Sequence, residues 1–325
     1  MSAPAPTIPR LRRRTAIAPI LYALLLGAGH AAAAATVDTG PLGMCVHATA
    51  SSVQPGARAF AARGFHLALE AGPGAPDLDA AGMSLSQVRG GLDADALRDA
   101  AIAAAAALLQ QAQQAAHPHS ALACPSAVLE AAGRKLQTAL LDGGAYDFVW
   151  SGATVRAGGN GTRIGNLAMH AERHGALVQA TLGLHGIAPA KPIPGMKVPS
   201  PQSLDLKVSG PADRIASTLG GGLGSGETVP FTLSSGLLAL GTARFDLAGH
   251  GAVGATPQQG SFSGKLTATD FDGAIAAASE AGLIKLRTGL YLARLAARQE
   301  GDRLAWDLQW QQGVLFVNNV PLPIR

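Results

Sequence analysis

The spacing of apolar residues changes near residue 142, and this change constrains the fold more than any other feature of the chain. From Tyr146 onward, long stretches alternate apolar and polar residues, so that every second side chain is apolar. Successive side chains of a strand point to opposite faces of the sheet, so a period of two predicts strands with one apolar and one polar face. Such strands are typical of an antiparallel sheet that is covered on one side.

Three runs show the alternation most clearly. We expect five side chains on the apolar, mostly covered face: Leu206, Val208, Leu266, Trp306 and Leu308. We expect the intervening side chains on the wetter face: Lys207, Lys265, Asp307 and Gln309. An error of one residue in the register would exchange the two faces, so the assignment tests the predicted strands sharply.

The alanine-rich part of the chain, residues 36–141, is predicted to be mainly helical. A helix is predicted over residues 92–116, where Asp93 is a candidate N-cap. A second helix is predicted over residues 126–141, because apolar residues recur there at helical spacing and two glycines follow. A third, shorter helix is predicted over residues 55–71.

Residues 142–325 are predicted to form an antiparallel sheet domain that carries two further helices. One helix is expected near 212–219, and the other over 272–299, with kinks near Gly282 and Gly289. The expected fold class is α+β: a helical N-terminal segment followed by a curved antiparallel β-sheet packed on one or two helices.

The first 35 residues have the three parts of a secretory signal peptide. The basic stretch Arg10–Arg14 precedes the apolar stretch Ala16–Gly27, and Ala31–Ala35 offers cleavage sites between small residues. We therefore expect residues 1–35 to be removed on export to the periplasm; an uncleaved membrane anchor is the alternative. The later apolar run Ala100–Leu109 is too short to cross a bilayer, so no transmembrane segment is predicted in the mature chain.

The charge of the chain is balanced once the leader is set aside. Four of the 25 Lys and Arg residues lie in the first fourteen positions, and the remaining 21 match the 21 Asp and Glu residues. A nucleic-acid-binding protein needs a surplus of basic residues, because phosphate neutralisation supplies most of its affinity. The composition therefore argues against a nucleic-acid partner.

The two cysteines of the chain, Cys45 and Cys124, both lie after the predicted leader. An even number of cysteines in an exported protein favours a disulfide, because the compartment is oxidising. Two buried thiols or a shared metal ion are the alternatives, but a metal site needs further ligands at suitable spacing. We predict a Cys45–Cys124 disulfide.

The most suggestive arrangement of candidate metal ligands is His170 and His174 on either side of Glu172. On a helix this spacing can bind zinc, but the order departs from HExxH, and the flanking residues alternate like a strand. On a strand the two histidines would lie about 13 Å apart, at about 3.3 Å per residue. We therefore predict no metal site here, and no catalytic residues or cofactor are assigned elsewhere.

Several segments of the sheet domain carry a resemblance to a known family. The domain opens with Tyr146–Trp150 (YDFVW), and the chain closes with WQQGVLFVNNVPL at residues 310–322. Together with strand–helix units at 204–215 and 262–284, this pattern resembles the uncharacterised proteobacterial proteins called domain of unknown function family 2125 and, more distantly, the AsmA-like envelope proteins. The resemblance covers about residues 142–325. It implies an envelope location and an elongated sheet with a hydrophobic face, and it transfers no functional residues.

These observations favour a non-enzymatic exported envelope protein whose apolar sheet face contacts a lipid or a membrane-biogenesis partner. Low charge and long apolar strand faces leave more apolar surface than a few helices can cover. Two alternatives stay open: an exported hydrolase on an unfamiliar fold, and a purely structural scaffold subunit. Clustering of His170, His174, His185 and Glu172 around one pocket would favour the hydrolase.

Overall fold

In the computed structural model, one antiparallel sheet of 17 strands runs through the described part of the chain, and two pairs of helices are inserted into it. The structure describes residues 34–70, 75–117, 123–157, 160–190, 202–214, 227–254 and 258–322. The predicted signal peptide lies outside the described residues, except for Ala34 and Ala35.

The strands follow one another across the sheet in nearly the order of the sequence. They are β1 (Ala35–Thr36), β2 (Val46–Ala50), β3 (Ser52–Gly56), β4 (Ala59–Leu69), β5 (Asp77–Arg89), β6 (Ala145–Ala157), β7 (Asn160–His174), β8 (Leu177–His185), β9 (Ala188–Pro189), β10 (Gln202–Pro211), β11 (Thr228–Leu240), β12 (Ala243–Gly254), β13 (Ser261–Thr269), β14 (Arg298–Glu300), β15 (Arg303–Gln311), β16 (Val314–Val317) and β17 (Val320–Leu322).

Strand pairing makes the sheet a simple meander. Strands β2 and β3 both pair with β4, and the ladder then continues β4–β5–β6–β7–β8–β10–β11–β12–β13–β15–β16–β17. The short strands β1, β9 and β14 extend the edges of β2, β7 and β15. All of these pairs are antiparallel, which confirms the predicted sheet type. In the described part of the chain β1 and β17 are not paired with each other, so the curled sheet is open.

Four helices cover parts of one sheet face. Helices α1 (Ala94–Ala116) and α2 (Ser126–Leu141) connect β5 to β6, and helices α3 (Phe271–Glu280) and α4 (Ile284–Ala296) connect β13 to β14. Asp93 caps α1, because its side chain accepts a hydrogen bond from the amide of Ala96 at 2.7 Å. Within the described ranges, no helix has the length and apolar content needed to span a membrane.

The helical prediction for residues 36–141 is wrong in its first half. Residues 46–89 form the strands β2 to β5, and the expected helix over 55–71 is instead the hairpin of β3 and β4. The predictions for 92–116 and 126–141 are confirmed by α1 and α2.

The error has a physical cause in β4. Its buried residues are Phe60 and Ala62, followed by Phe65, Leu67 and Leu69, so the alternation changes phase at Gly64. A spacing of three between Ala62 and Phe65 resembles a helical repeat, and the high helix propensity of alanine favours the same wrong interpretation.

The same change of phase occurs at one level in four neighbouring strands, and we call this line across the sheet the crease. In the ladder, Gly64 of β4 lies level with Ala81 of β5, Gly152 of β6 and Gly165 of β7. Gly64 and Gly152 have left-handed backbones with φ of 53° and 56°. In β4, β5 and β6 the buried set shifts by one residue at the crease, so that apolar residues on both sides of it face the same core. In β7 the half-buried Ile164 and the buried Leu167 show the same spacing of three.

Replacing Gly152 with alanine is expected to lower the free energy of unfolding by about 1.5 kcal/mol, because a β-carbon disfavours the left-handed conformation. The added carbon would also lie 3.2 Å from Cβ of Ala81. Gly133 in α2 is the matched control. Its site is open, so Gly133→Ala is expected to raise the stability by about 1 kcal/mol through helix propensity. Urea unfolding measures both changes, and equal shifts in the two variants would contradict a crease at Gly152.

The predicted strand faces of the C-terminal half are confirmed. Trp306 is 3% exposed, and Leu206, Val208, Leu266 and Leu308 are half-buried on the same face. The opposite face carries the intervening residues: Lys207 and Lys265 are exposed, whereas Asp307 and Gln309 are half-buried like the four apolar residues. The exposures of the two faces therefore differ at Trp306 and at the two lysines.

The helix predicted over 272–299 is two helices, and it ends earlier than predicted, because Arg298 and Gln299 belong to β14. Gly282, with a φ of 69°, lies in the break between α3 and α4, as expected, whereas α4 continues through Gly289 without interruption. The helix predicted near 212–219 is described only over 212–214, which are helical; its remaining residues lie outside the described part.

Buried side chains form two separate cores. The N-terminal core lies between α1, α2 and strands β2 to β8, and it includes Trp150, Phe60 and Leu97. The C-terminal core consists of Ala268, Phe271, Ile275 and Trp306 with their half-buried neighbours. The disulfide predicted between Cys45 and Cys124 is present, with 5.1 Å between the Cα atoms, and it closes the side of the N-terminal core.

Candidate functional site

An apolar band crosses the sheet between the two cores. It consists of seven side chains on the core face of β10 to β13 that belong to neither core: Leu204, Leu206, Val208, Phe231, Leu233, Leu247 and Phe262. Leu233 is 7% exposed, and the other six are half-buried. The band therefore continues the apolar face beyond the part that the helices cover.

The position of the helices explains why most of the band is only half-buried. Helix α1 packs chiefly against β3 to β6, α2 packs against β7, and α3 packs against β11 and β12 at the end near the β11–β12 turn. Strand β10 lies between these two covers. Its apolar side chains therefore have sheet neighbours, while the described helices cover the regions on either side of them.

Glycines give the band a flat floor. The rings of Phe231 and Phe262 are nearly parallel, at 12°, with centroids 6.2 Å apart. A β-carbon on Gly249 or Gly264 would come within 2.7 Å of the Phe262 ring, and one on Gly251 within 3.0 Å of the Phe231 ring. Because glycine has no β-carbon, the two rings can pack directly against the backbone of the neighbouring strands, and the surface between them is apolar.

Histidine–carboxylate pairs mark the opposite, outer face of the sheet. Nδ1 of His170 is hydrogen-bonded to Asp147 at 2.7 Å, and Nε2 of His185 lies 3.2 Å from Asp205. Both pairs line one shallow, open pocket of about 640 Å³, together with Lys207. The sequence could not indicate these pairs, because each joins residues from neighbouring strands whose register it does not specify.

The predicted strand at His170 and His174 is confirmed, because both lie in β7. They share a carboxylate: Oε1 of Glu172 is 2.6 Å from Nε2 of His174 and 3.6 Å from Nε2 of His170. The hydrogen bond from His174 holds the pKa of Glu172 below its usual value. Of the four residues whose clustering would favour a hydrolase, His170 and His185 line the pocket, and Glu172 and His174 lie outside its lining.

A second polar cluster on the outer face was not foreseen from the sequence. His66, Asp77 and Asp79 bring candidate metal-ligand atoms within 4.8 Å of one another. Arg156 forms ion pairs with both aspartates, and its Nη1 lies 2.6 Å from Asp79. Burial raises the pKa of Asp79, but hydrogen bonds from His66 and Arg156 outweigh that effect and lower it. The arginine already neutralises the charge that a metal ion would need.

A further open pocket, of about 920 Å³, lies where β5 ends and α1 and α2 come together. Its lining combines Arg89, Arg134 and Lys135 with Asp93 and Asp142, so its charge is nearly balanced. The sequence did not indicate it, because its lining comes from two separate segments, residues 89–93 and 131–144.

Comparison of the chain with protein-family models, with curated proteins and with solved structures finds no match.

Proposed function

We propose that this chain is a non-enzymatic exported protein of the bacterial envelope that holds a lipid acyl chain against the apolar band. The observation that carries the proposal is a continuous row of half-buried Leu, Val and Phe side chains between two helix-covered cores. Apolar patches of several hundred Å² on a monomer commonly mark interaction sites.

The shape of the band suits an extended, flexible chain. Its floor is low where the phenylalanine rings rest on glycines, and the leucines of β10 border it along one side. Covering ~400 Å² of such a surface contributes roughly 10 kcal/mol before ordering costs. An acyl chain can match this surface without polar groups.

The Cys45–Cys124 disulfide supports export, because structural disulfides form and persist in oxidising compartments. The predicted signal peptide and the resemblance to envelope proteins point in the same direction. Native mass spectrometry of protein purified from the envelope without detergent tests the proposal, and we expect a mass increment from bound lipid.

Two variants of neighbouring residues make this experiment specific. Leu206→Asp places a charge on the band and is expected to abolish the increment. Lys207→Asp places the same side chain on the outer face of the same strand, where Lys207 is exposed, and is expected to retain the increment. Lipid-free wild-type protein, or equal loss in both variants, would refute lipid binding at the band and leave a scaffold or protein-binding role ahead.

A hydrolase is the second candidate, favoured by the two histidine–carboxylate pairs in one outer-face pocket. In that case Asp147 would orient His170 through Nδ1, as the acid of a triad does. Nε2 of His170 faces Glu172, at 3.6 Å, rather than a hydroxyl group, so the nucleophile would have to be a water molecule. Ester or amide hydrolysis that His170→Ala removes, and that Phe231→Asp on the band outside the pocket lining spares, would favour this candidate.

A further inference from the structure

Helix α4 carries a stripe of large apolar side chains that faces away from the protein. Four of them are more than half exposed: Ile284 (68%), Tyr291 (52%), Leu292 (63%) and Leu295 (83%). Because a helix turns 100° per residue, these positions lie within about 100° of one another on a single face. Buried apolar residues need no explanation, but an exposed stripe of this kind does.

The opposite face of α4 is fixed to the protein. Leu290, Ala293 and Ala297 pack against the C-terminal core. Nε1 of Trp306 donates a hydrogen bond to the carbonyl of Ala293 at 2.8 Å, and Arg294 forms an ion pair with Asp272. These contacts hold the helix in one rotational position, so the outward direction of the stripe is a property of the fold.

Basic residues border the stripe on both sides. Lys285 lies along one edge, and Arg287 and Arg294 lie along the other, while residues 281–297 contain no acidic residue. Within the described residues, neither Lys285 nor Arg287 has an ion-pair partner, and both are exposed. An apolar stripe with basic borders is the pattern of a helix that lies in the interface of an anionic bilayer.

We infer that α4 docks this protein onto an anionic membrane surface, with the stripe inserted among the lipid acyl chains and the basic side chains at the headgroups. A bilayer fits better than a second copy or another protein for reasons of size. The helix is about 20 Å long at 1.5 Å per residue. Its stripe presents roughly 500 Å², less than the ~800 Å² per partner of a stable protein interface. This docking is independent of a lipid bound at the apolar band.

Sedimentation with vesicles tests the inference, with vesicles of phosphatidylcholine alone and of phosphatidylcholine mixed with phosphatidylglycerol. We expect the full chain to bind the mixed vesicles more tightly. Leu292→Ser with Leu295→Ser should weaken that binding by about a hundredfold, at roughly tenfold for each buried leucine. Lys285→Gln with Arg287→Gln should weaken binding to the mixed vesicles by about 25-fold, at roughly fivefold for each charge, and should leave binding to neutral vesicles unchanged.

The control removes two exposed leucines from the outer face of the sheet. Leu177 is 42% exposed and Leu237 is 43% exposed, and replacing both with serine should leave vesicle binding unchanged. All variants share the same first 33 residues, so a difference between them reports on α4. Circular dichroism verifies that each variant is folded.

Three results would overturn the inference: no binding of the wild-type chain to mixed vesicles, equal binding by the Leu292/Leu295 variant, or equal loss in the control. Size-exclusion chromatography tests the alternative that the stripe binds a second copy of the protein. A dimer that the Leu292→Ser, Leu295→Ser variant converts to a monomer, without vesicle binding by the wild type, would assign the stripe to a second copy. The vesicle test is independent of the lipid test at the apolar band: Leu206→Asp can lose its bound lipid and still bind vesicles through α4.

Discussion

Replacing both Cys45 and Cys124 with alanine is expected to lower the free energy of unfolding by about 4.5 kcal/mol. The bond joins residues separated by 79 positions, so removing it frees a long loop in the unfolded chain. Stabilities of single domains are commonly about 5–15 kcal/mol, so this loss is a large fraction of the total.

The position of the disulfide strengthens the expectation. Both cysteines are buried, at 1% and 0% exposure, and the amide of Cys124 donates a hydrogen bond to Oε1 of the buried Gln110 at 2.9 Å. The bond thereby ties the start of α2 to the start of β2 and to the middle of α1. Guanidinium unfolding measures the change, with the reduced wild-type protein as the control. A loss below about 1 kcal/mol in both samples would show that the loop stays ordered without the bond.

Replacing Trp150 with alanine is expected to cost about 4 kcal/mol, because a large aromatic side chain is lost from a close-packed core. Trp150 is 1% exposed, and its ring meets Phe148 edge to face with centroids 5.3 Å apart. The matched variant is Trp306→Ala in the C-terminal core. Trp306 is 3% exposed and lies with its ring centroid 5.3 Å from that of Phe271.

Hydrogen exchange distinguishes the two tryptophan variants. The two cores share no buried residue, so Trp150→Ala should reduce amide protection mainly in β4 to β7. Trp306→Ala should reduce it mainly in β12 to β16 and in α4, which loses the hydrogen bond from Nε1 to Ala293. Equal loss of protection across the whole sheet in either variant would mean that the two cores unfold as one unit.

The parts of the fold that follow a regular period were predictable from the sequence. The alternation at Leu204–Val208 and Leu304–Trp310 predicted both strands and the face of each residue. The helix over 126–141 followed from its apolar spacing, and the disulfide followed from the cysteine count in a chain with a predicted leader.

The parts that failed depend on where the backbone departs from regularity. In β4 the left-handed Gly64 shifts the buried set by one residue, which hides the strand from any test of period. At Gly282 the predicted kink is a complete break between two helices, because a single left-handed residue interrupts the helical backbone. Residues 284–296 carry apolar side chains on more than one face of the helix, so the sequence does not indicate which face is buried. Tertiary packing shows that Leu290 faces the core and Leu295 faces outward.

The candidate sites were less predictable than the elements that carry them. Low charge indicated that apolar surface would stay uncovered, but its location depends on where the inserted helices end. The band lies on β10 to β13 because α1 and α2 cover the sheet on one side of it and α3 covers the other. The pair of His185 and Asp205 likewise requires the β8–β10 register, in which Gly183 lies opposite Asp205.

The meander topology also determines how the molecule can assemble in time. Each long strand pairs with the strand before it and the strand after it, so a chain that becomes available from its N-terminus can add strands one at a time to an existing edge. Cys124 comes before β6, so the disulfide can close when only the first five strands and α1 are in place. Each later strand can pair with the exposed edge of the strand before it. Helix α4 is fixed only after β15 has formed, because its hydrogen bond comes from Trp306 in that strand. The element with the outward apolar stripe is therefore among the last to be held in position.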